Sequence, residues 1–153
     1  MNNNNYSYNR ENANRDRNVN TIVPKEIPVL DKKTYVKKAE EVIGKLKTDK
    51  YDKPCLSTSQ IRNILTLVNE AYNIIQHNQE EVLSDEVQSR TQYIKMRIAY
   101  SAGRDTSVKD FVEKSGIMVH LDRAGESRSR LILVCNYMEA LVAYHKFNRG
   151  VID

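Results

Sequence analysis

The stretch from Leu131 to Phe147 (LILVCNYMEALVAYHKF) is apolar or aromatic around almost its whole circumference, interrupted by Asn136, Glu139, His145 and Lys146. A helix of that kind needs neighbours on most sides, so it predicts the central post of a helical bundle. It does not read as a membrane span. Asn136 and Glu139 lie mid-segment, and the run falls short of the roughly 20 apolar residues a bilayer requires. The rest of the chain must supply the helices that close around it.

At 153 residues the chain is long enough for one domain with a real core. Five glycines and three prolines favour helices over a turn-rich β fold. Residues 1–30 read as an extension and 31–153 as a single helical domain. The opening MNNNNYSYNR begins an Asn-rich tract, to about Asn20, without the apolar content to pack, which predicts disorder. Arg10, Arg15 and Arg17 make it either an arm that touches nucleic acid or a plain solvated tail. Thr21 to Leu30, with Pro24 and Pro28, predicts an extended lead-in. No apolar leader is visible, so a cytoplasmic location is the expectation.

Helical spacing of Tyr35, Val36, Ala39, Val42, Ile43 and Leu46 predicts a first helix over about Lys32–Lys47, followed by a polar linker from Thr48 to Pro54. Ser57 and Gln60 match a capping box and open a second helix, with Ile61, Ile64, Leu65, Val68, Tyr72 and Ile75 as its main stripe. A third starts near Ser84-Asp85-Glu86, where acidic residues suit the helix dipole, and is expected to end on Gly103 as a left-handed cap. Thr106 or Ser107 then caps a short helix through Ser115, broken by Gly116. Ile117 to Ala124 fits either a further short helix or an irregular segment. The predicted fold is therefore all-α: about five helices around a buried C-terminal one.

The chemistry is sparse. No G-x-G-x-x-G, P-loop or H-E-x-x-H pattern is present, so neither catalysis nor a cofactor is expected. Cys55 and Cys135 lack disulfide or zinc spacing, and Cys135 reads as a small core residue. His120 and Asp122, two apart, do not face each other on a helix. Net charge is +4, from 24 Lys+Arg against 20 Asp+Glu. That mild excess suits nucleic acid but does not single it out. The pattern with most content is Arg90, Tyr93, Arg97, Tyr100 and Arg104. Steps of three and four residues put all five along one helical stripe about 21 Å long. Guanidinium groups grip phosphates and aromatic rings offer stacking platforms. The rival reading puts both tyrosines in the core and leaves the arginines as a solvated face. Lys95 lies off the line, and Arg62 is an isolated cation on the second helix. Arg128 and Arg130 oppose the dipole of the last helix, which points to an anion there, from a partner or from Glu126.

Several stretches together resemble a known family. Leu56–Leu65 (LSTSQIRNIL), Ala102–Asp105 (AGRD) with Val108–Val112 (VKDFV), and above all Tyr137–Phe147 (YMEALVAYHKF) are similar to the small subunit of type III-A CRISPR effector (Csm) complexes. Tyr35–Ala39 (YVKKA) adds to the likeness, which spans about Asp31 to Asp153. The Asn-rich arm has no counterpart in it, and His120 to Glu126 is unmatched. The resemblance implies a non-catalytic, all-helical subunit that stacks head-to-tail in several copies beside the CRISPR RNA and its target RNA. It also implies backbone, large and capping subunits as partners, and no membrane. By motif match Arg62, Lys95, Arg104 and Lys146 become expected RNA or subunit contacts, and Arg90 and Arg97 join them from the stripe. On residues alone, a helix-turn-helix DNA-binding regulator built on the third and fourth helices, or a helical adaptor without nucleic acid, stay open as alternatives.

Overall fold

A computed structural model of the chain describes residues 26–149. The Asn-rich tract and the first half of the lead-in lie outside the described residues. Within them run six helices: α1 (Tyr35–Ile43), α2 (Thr58–Ile75), α3 (Asp85–Arg104), α4 (Thr106–Ser115), α5 (Ile117–Ala124) and α6 (Arg128–Arg149). The all-α expectation holds, with the undecided segment 117–124 forming the additional helix. α6 packs against α1, α2 and α5, while α3 lies between α2 and α4. Its buried side carries Leu131, Val134, Cys135, Tyr137, Met138, Leu141 and His145, and it opens to solvent at Glu139, Ala143 and Phe147.

Local chemistry sets the boundaries. Ser57 accepts from the Gln60 amide at 3.1 Å while the Gln60 side chain accepts from the Ser57 amide at 2.8 Å, the expected capping box. α1 stops at Ile43, short of the expected Lys47, because α4 takes over its last backbone groups. Lys114 donates to the Lys45 carbonyl at 2.7 Å, and the Lys47 amide donates to Asp110 at 2.9 Å. Asp110 is buried, which pushes its pKa up, but the Lys114 ammonium at 2.8 Å and the Lys47 amide more than offset this and hold it below the ordinary value.

Gly103 is not a left-handed cap. Helix α3 continues through Arg104, and Asp105, in extended backbone (φ −142°, ψ 125°), both ends α3 and starts α4. Its carboxylate accepts from the Ser107 and Val108 amides at 2.8 and 3.2 Å. Because Asp105 satisfies those free N–H groups itself, the chain turns without a glycine, and neither Thr106 nor Ser107 is needed as cap. A left-handed residue is used at the next junction instead, where Gly116 (φ +66°) joins α4 to α5.

At that junction the interior polar groups meet. Tyr137, fully buried, donates its hydroxyl to the Ser115 carbonyl at 3.0 Å, and its ring receives the edge of His120 at 5.4 Å. Lys38 stands 5.8 Å from the same ring and 3.3 Å from His120 Nε2. Burial lowers the His120 pKa to about 4, with help from the Lys38 and Arg123 charges, so the imidazole is neutral and accepts the Lys38 N–H. Further along α6, His145 Nε2 lies 2.8 Å from the Leu56 carbonyl and ties the post to the start of α2.

Two outcomes follow. A Cβ on Gly116 would sit 2.6 Å from Ile27 Cγ2 and impose a left-handed backbone on an L-residue. Gly116→Ala should therefore lower unfolding free energy by about 1–2 kcal/mol in urea titration. Adding Ile27→Ala should cost less than the two separate losses, because it relieves the clash; full additivity would contradict this contact. For His120, the unfolded imidazole binds a proton below about pH 6.5 and the folded one not until about pH 4. Stability should fall by up to about 3 kcal/mol as pH drops through that window. His120→Gln should flatten the slope; an unchanged slope would show that other groups carry it.

Candidate nucleic-acid interface

The face in question is built on an antiparallel pair, α2 and α3. Gln60 near the start of α2 donates to Asp105 past the end of α3 at 2.9 Å, and Glu70 near the end of α2 pairs with Arg90 near the start of α3 at 2.8 Å. α3 buries Val87, Thr91, Ile94 and Ile98, which leaves the Arg90–Arg104 line on its outer side. Tyr93 and Tyr100 are 45% and 66% exposed, so neither belongs to the core. Arg90 and Arg97 stand 5.2 and 5.9 Å from the Tyr93 ring, and Arg104 stands 5.6 Å from the Tyr100 ring. Each tyrosine thus presents a ring beside at least one guanidinium, and Met96, 58% exposed, adds an apolar surface nearby.

Glu70 is the residue that sequence spacing missed. Its two carboxylate oxygens reach Arg90 at 2.8 Å and Arg97 at 3.6 Å, so one negative charge is shared by two positive ones. The pairs are partly solvent-exposed, so each is worth little and is readily exchanged for another anion. Pairing α2 against α3 is what brings Glu70 to the stripe, and no motif within α2 announces it. Toward the other end, Gln60, Asn63, Tyr100 and Arg104 line a hollow of about 260 Å³ between the two helices. Arg62, exposed beside Asn63, makes no ion pair among the described residues.

The remaining expected contacts lie elsewhere. Lys95 points away from the stripe toward α5, where it pairs with Asp122. Lys146 is exposed near the C-terminal end of α6. The anion at the start of α6 is Glu81, from the loop before α3, rather than Glu126, and the charge it feels there is that of Arg128. Its carboxylate accepts from the Ser127 hydroxyl at 2.6 Å, the Ser129 hydroxyl at 2.7 Å and the Ser129 amide at 3.3 Å. Those bonds, the Ser127 one foremost, hold its pKa below the ordinary value. Arg128 turns back to donate to the Ile75 carbonyl at 3.3 Å, at the end of α2, where a cation suits the dipole.

The same geometry removes the helix-turn-helix alternative. A single residue, Asp105, separates α3 from α4, where that motif uses a turn of three or four. The outer side of α4 carries Lys109 against Glu113 at 3.9 Å rather than a basic reading face. Among the described residues no group of three or more His, Cys, Asp or Glu side chains could hold a metal ion, and no helix is long and apolar enough to cross a membrane. Fold and surface together define a small all-helical protein with one basic-aromatic helix face.

Comparison with known proteins makes that class specific. The family model for Csm2 of type III-A systems matches residues 30–150. The CRISPR system Cms protein Csm2 of Streptococcus thermophilus is 38% identical over 122 residues, 80% of this chain and 97% of that protein. Its namesake in Mycobacterium tuberculosis strain H37Rv is 35% identical over 113 residues, 74% of this chain and 90% of the relative. That of Enterococcus italicus is 36% identical over 96 residues, 61% and 69% of the two chains. The chain belongs to the Csm2 family: it is the non-catalytic small subunit of a type III-A CRISPR complex.

Proposed function

We propose that this subunit binds the guide and target RNA backbone without reading sequence, through the α3 stripe, as one of several copies stacked head-to-tail in a cytoplasmic ribonucleoprotein. The observation that carries the reading is the alternation of Arg90, Arg97 and Arg104 with the exposed rings of Tyr93 and Tyr100 along one side of α3. Guanidinium groups engage phosphates whatever the base, and tyrosine rings stack on any unpaired base. Sequence specificity then belongs to guide pairing, as in other RNA-guided systems.

Arg62 extends the surface onto α2. Lys95 and Lys146, off the stripe, serve as contacts to the strand or to neighbouring subunits. A head-to-tail interface is heterologous and extends rather than closes, which suits a subunit that lines a long RNA. The helical domain that begins at about residue 31 carries these contacts. Glu70 sets the resting state: it holds Arg90 and Arg97 until phosphates displace it.

The test is a titration of the assembled complex and of the free subunit with two unrelated single-stranded RNAs across a salt series. Arg97→Gln and Arg104→Gln should each weaken binding by about tenfold, equally for both RNAs, and each should lower the salt slope by about 0.7. Glu70→Gln should tighten binding severalfold. Unchanged affinity in the arginine variants, or a loss confined to one RNA, would contradict the reading. A variant that keeps RNA and loses assembly would reassign its residue to a subunit interface.

A further inference from the structure

Away from α3, a second concentration of positive charge surrounds a hollow of about 400 Å³ on the α5–α6 side of the bundle. Leu30, Leu133 and Val134 supply an apolar wall, and Arg123, Arg130 and His120 supply the polar one. Lys38 stands directly behind His120, at 3.3 Å. Of the carboxylates nearby in sequence, Asp122 pairs with Lys95, while Asp31, Glu40, Glu41 and Glu126 form no ion pair among the described residues. No ion pair among the described residues involves Lys38, Arg123 or Arg130. Arg123 and Arg130 on the wall of the hollow, and Lys38 behind His120, are therefore without an ion-paired carboxylate among the described residues.

Their present partners are weak substitutes. Arg123 donates to the Ile27 carbonyl at 2.6 Å and Lys38 to the Pro28 carbonyl at 2.8 Å, which lashes residues 27–30 across the bundle as a strap. Arg130 reaches the Arg123 carbonyl at 3.5 Å. An Arg has five N–H donors, so most of the donor capacity of Arg123 and Arg130 is unspent. Burial and the nearby Arg123 charge lower the Lys38 pKa, the response of a cation set among cations with no counter-charge. Part of the wall, Val29, precedes residue 30, where the match to the Csm2 family begins.

We propose that this hollow is a binding site for a small phosphate monoester, its phosphate held by Arg123 and Arg130 with Lys38 behind, and its compact apolar body against Leu30, Leu133 and Val134. A dianion matches several unopposed cations better than a single carboxylate does, and guanidinium pairs favour bidentate phosphate contacts. The volume falls within the range of small-molecule sites. The site is separate from the α3 stripe and does not depend on the RNA reading.

Phenyl phosphate is the direct probe, followed through the His120 imidazole resonances of the full chain, with inorganic phosphate and phenol as the two half-ligands. Phenyl phosphate should shift His120 saturably and bind more tightly than inorganic phosphate, while phenol should leave it in place. Arg123→Gln should weaken binding by about tenfold, the loss expected for one charge-assisted contact. Arg130→Gln should do the same without touching the strap, so it separates a lost contact from a loosened fold, and circular dichroism should show it unchanged. Arg97→Gln/Arg104→Gln should bind like the parent. No shift at millimolar phenyl phosphate, or equal binding in the parent and Arg130→Gln, would overturn the proposal.

Discussion

Burying Tyr137 is the constraint on which the other packing choices depend. Its hydroxyl has to find an acceptor in the interior, and the Ser115 carbonyl at the α4–α5 junction provides it at 3.0 Å. That bond fixes where α6 crosses the junction. The junction in turn has to be tight, and Gly116 in left-handed backbone makes it so. His120, one turn into α5, then lands edge-on against the Tyr137 ring, and as a neutral imidazole it can accept from Lys38 on α1. One buried aromatic thereby links α6, α5, the end of α4 and α1. Apolar burial supplies most of the stabilisation, and these few polar contacts select one arrangement of helices among many of similar area.

The α2–α3 pair answers a different requirement. Its inner residues close the core, while its outer side carries charge that the fold does not use. Glu70 bridges Arg90 and Arg97 at the surface, where the solvent leaves such a pair weakly bound. On the proposed function, a surface of that kind stays folded without its ligand and yields to phosphate when RNA binds. Lys95 shows the contrast. It sits on the same helix, but its side chain, 17% exposed, is turned to Asp122 and helps hold α5 against α3.

How much of this was legible in the sequence depended on how local the cause was. The capping box at Ser57 and Gln60, the acidic start of α3 and the break at Gly116 are all set within a few residues, and each is where the pattern put it. The stripe on α3 was legible because three- and four-residue spacing maps directly onto a helix face. Gly103 misled because glycine at a helix end is an ordinary left-handed cap, yet Asp105 performs the turn with its carboxylate. The early end of α1, the role of Glu81 at the start of α6 and the pairing of Glu70 were hidden for one reason. Each depends on a partner from 20 or more positions away, and no local pattern encodes which helices become neighbours. The strap of residues 27–30 is hidden in the same way, held by Lys38 and Arg123 through its carbonyls.

On the proposed function, the outer side of α3 touches RNA inside the assembled complex. Ultraviolet cross-linking of the purified complex, followed by mass spectrometry of this subunit, tests it most directly, because tyrosine rings stacked on bases are efficient cross-linking partners. Nucleotide adducts are expected on Tyr93 and Tyr100, at many positions of the bound RNA and without preference for one base. Adducts confined to other helices, or to other subunits with the Arg90–Arg104 segment unmodified, would contradict it.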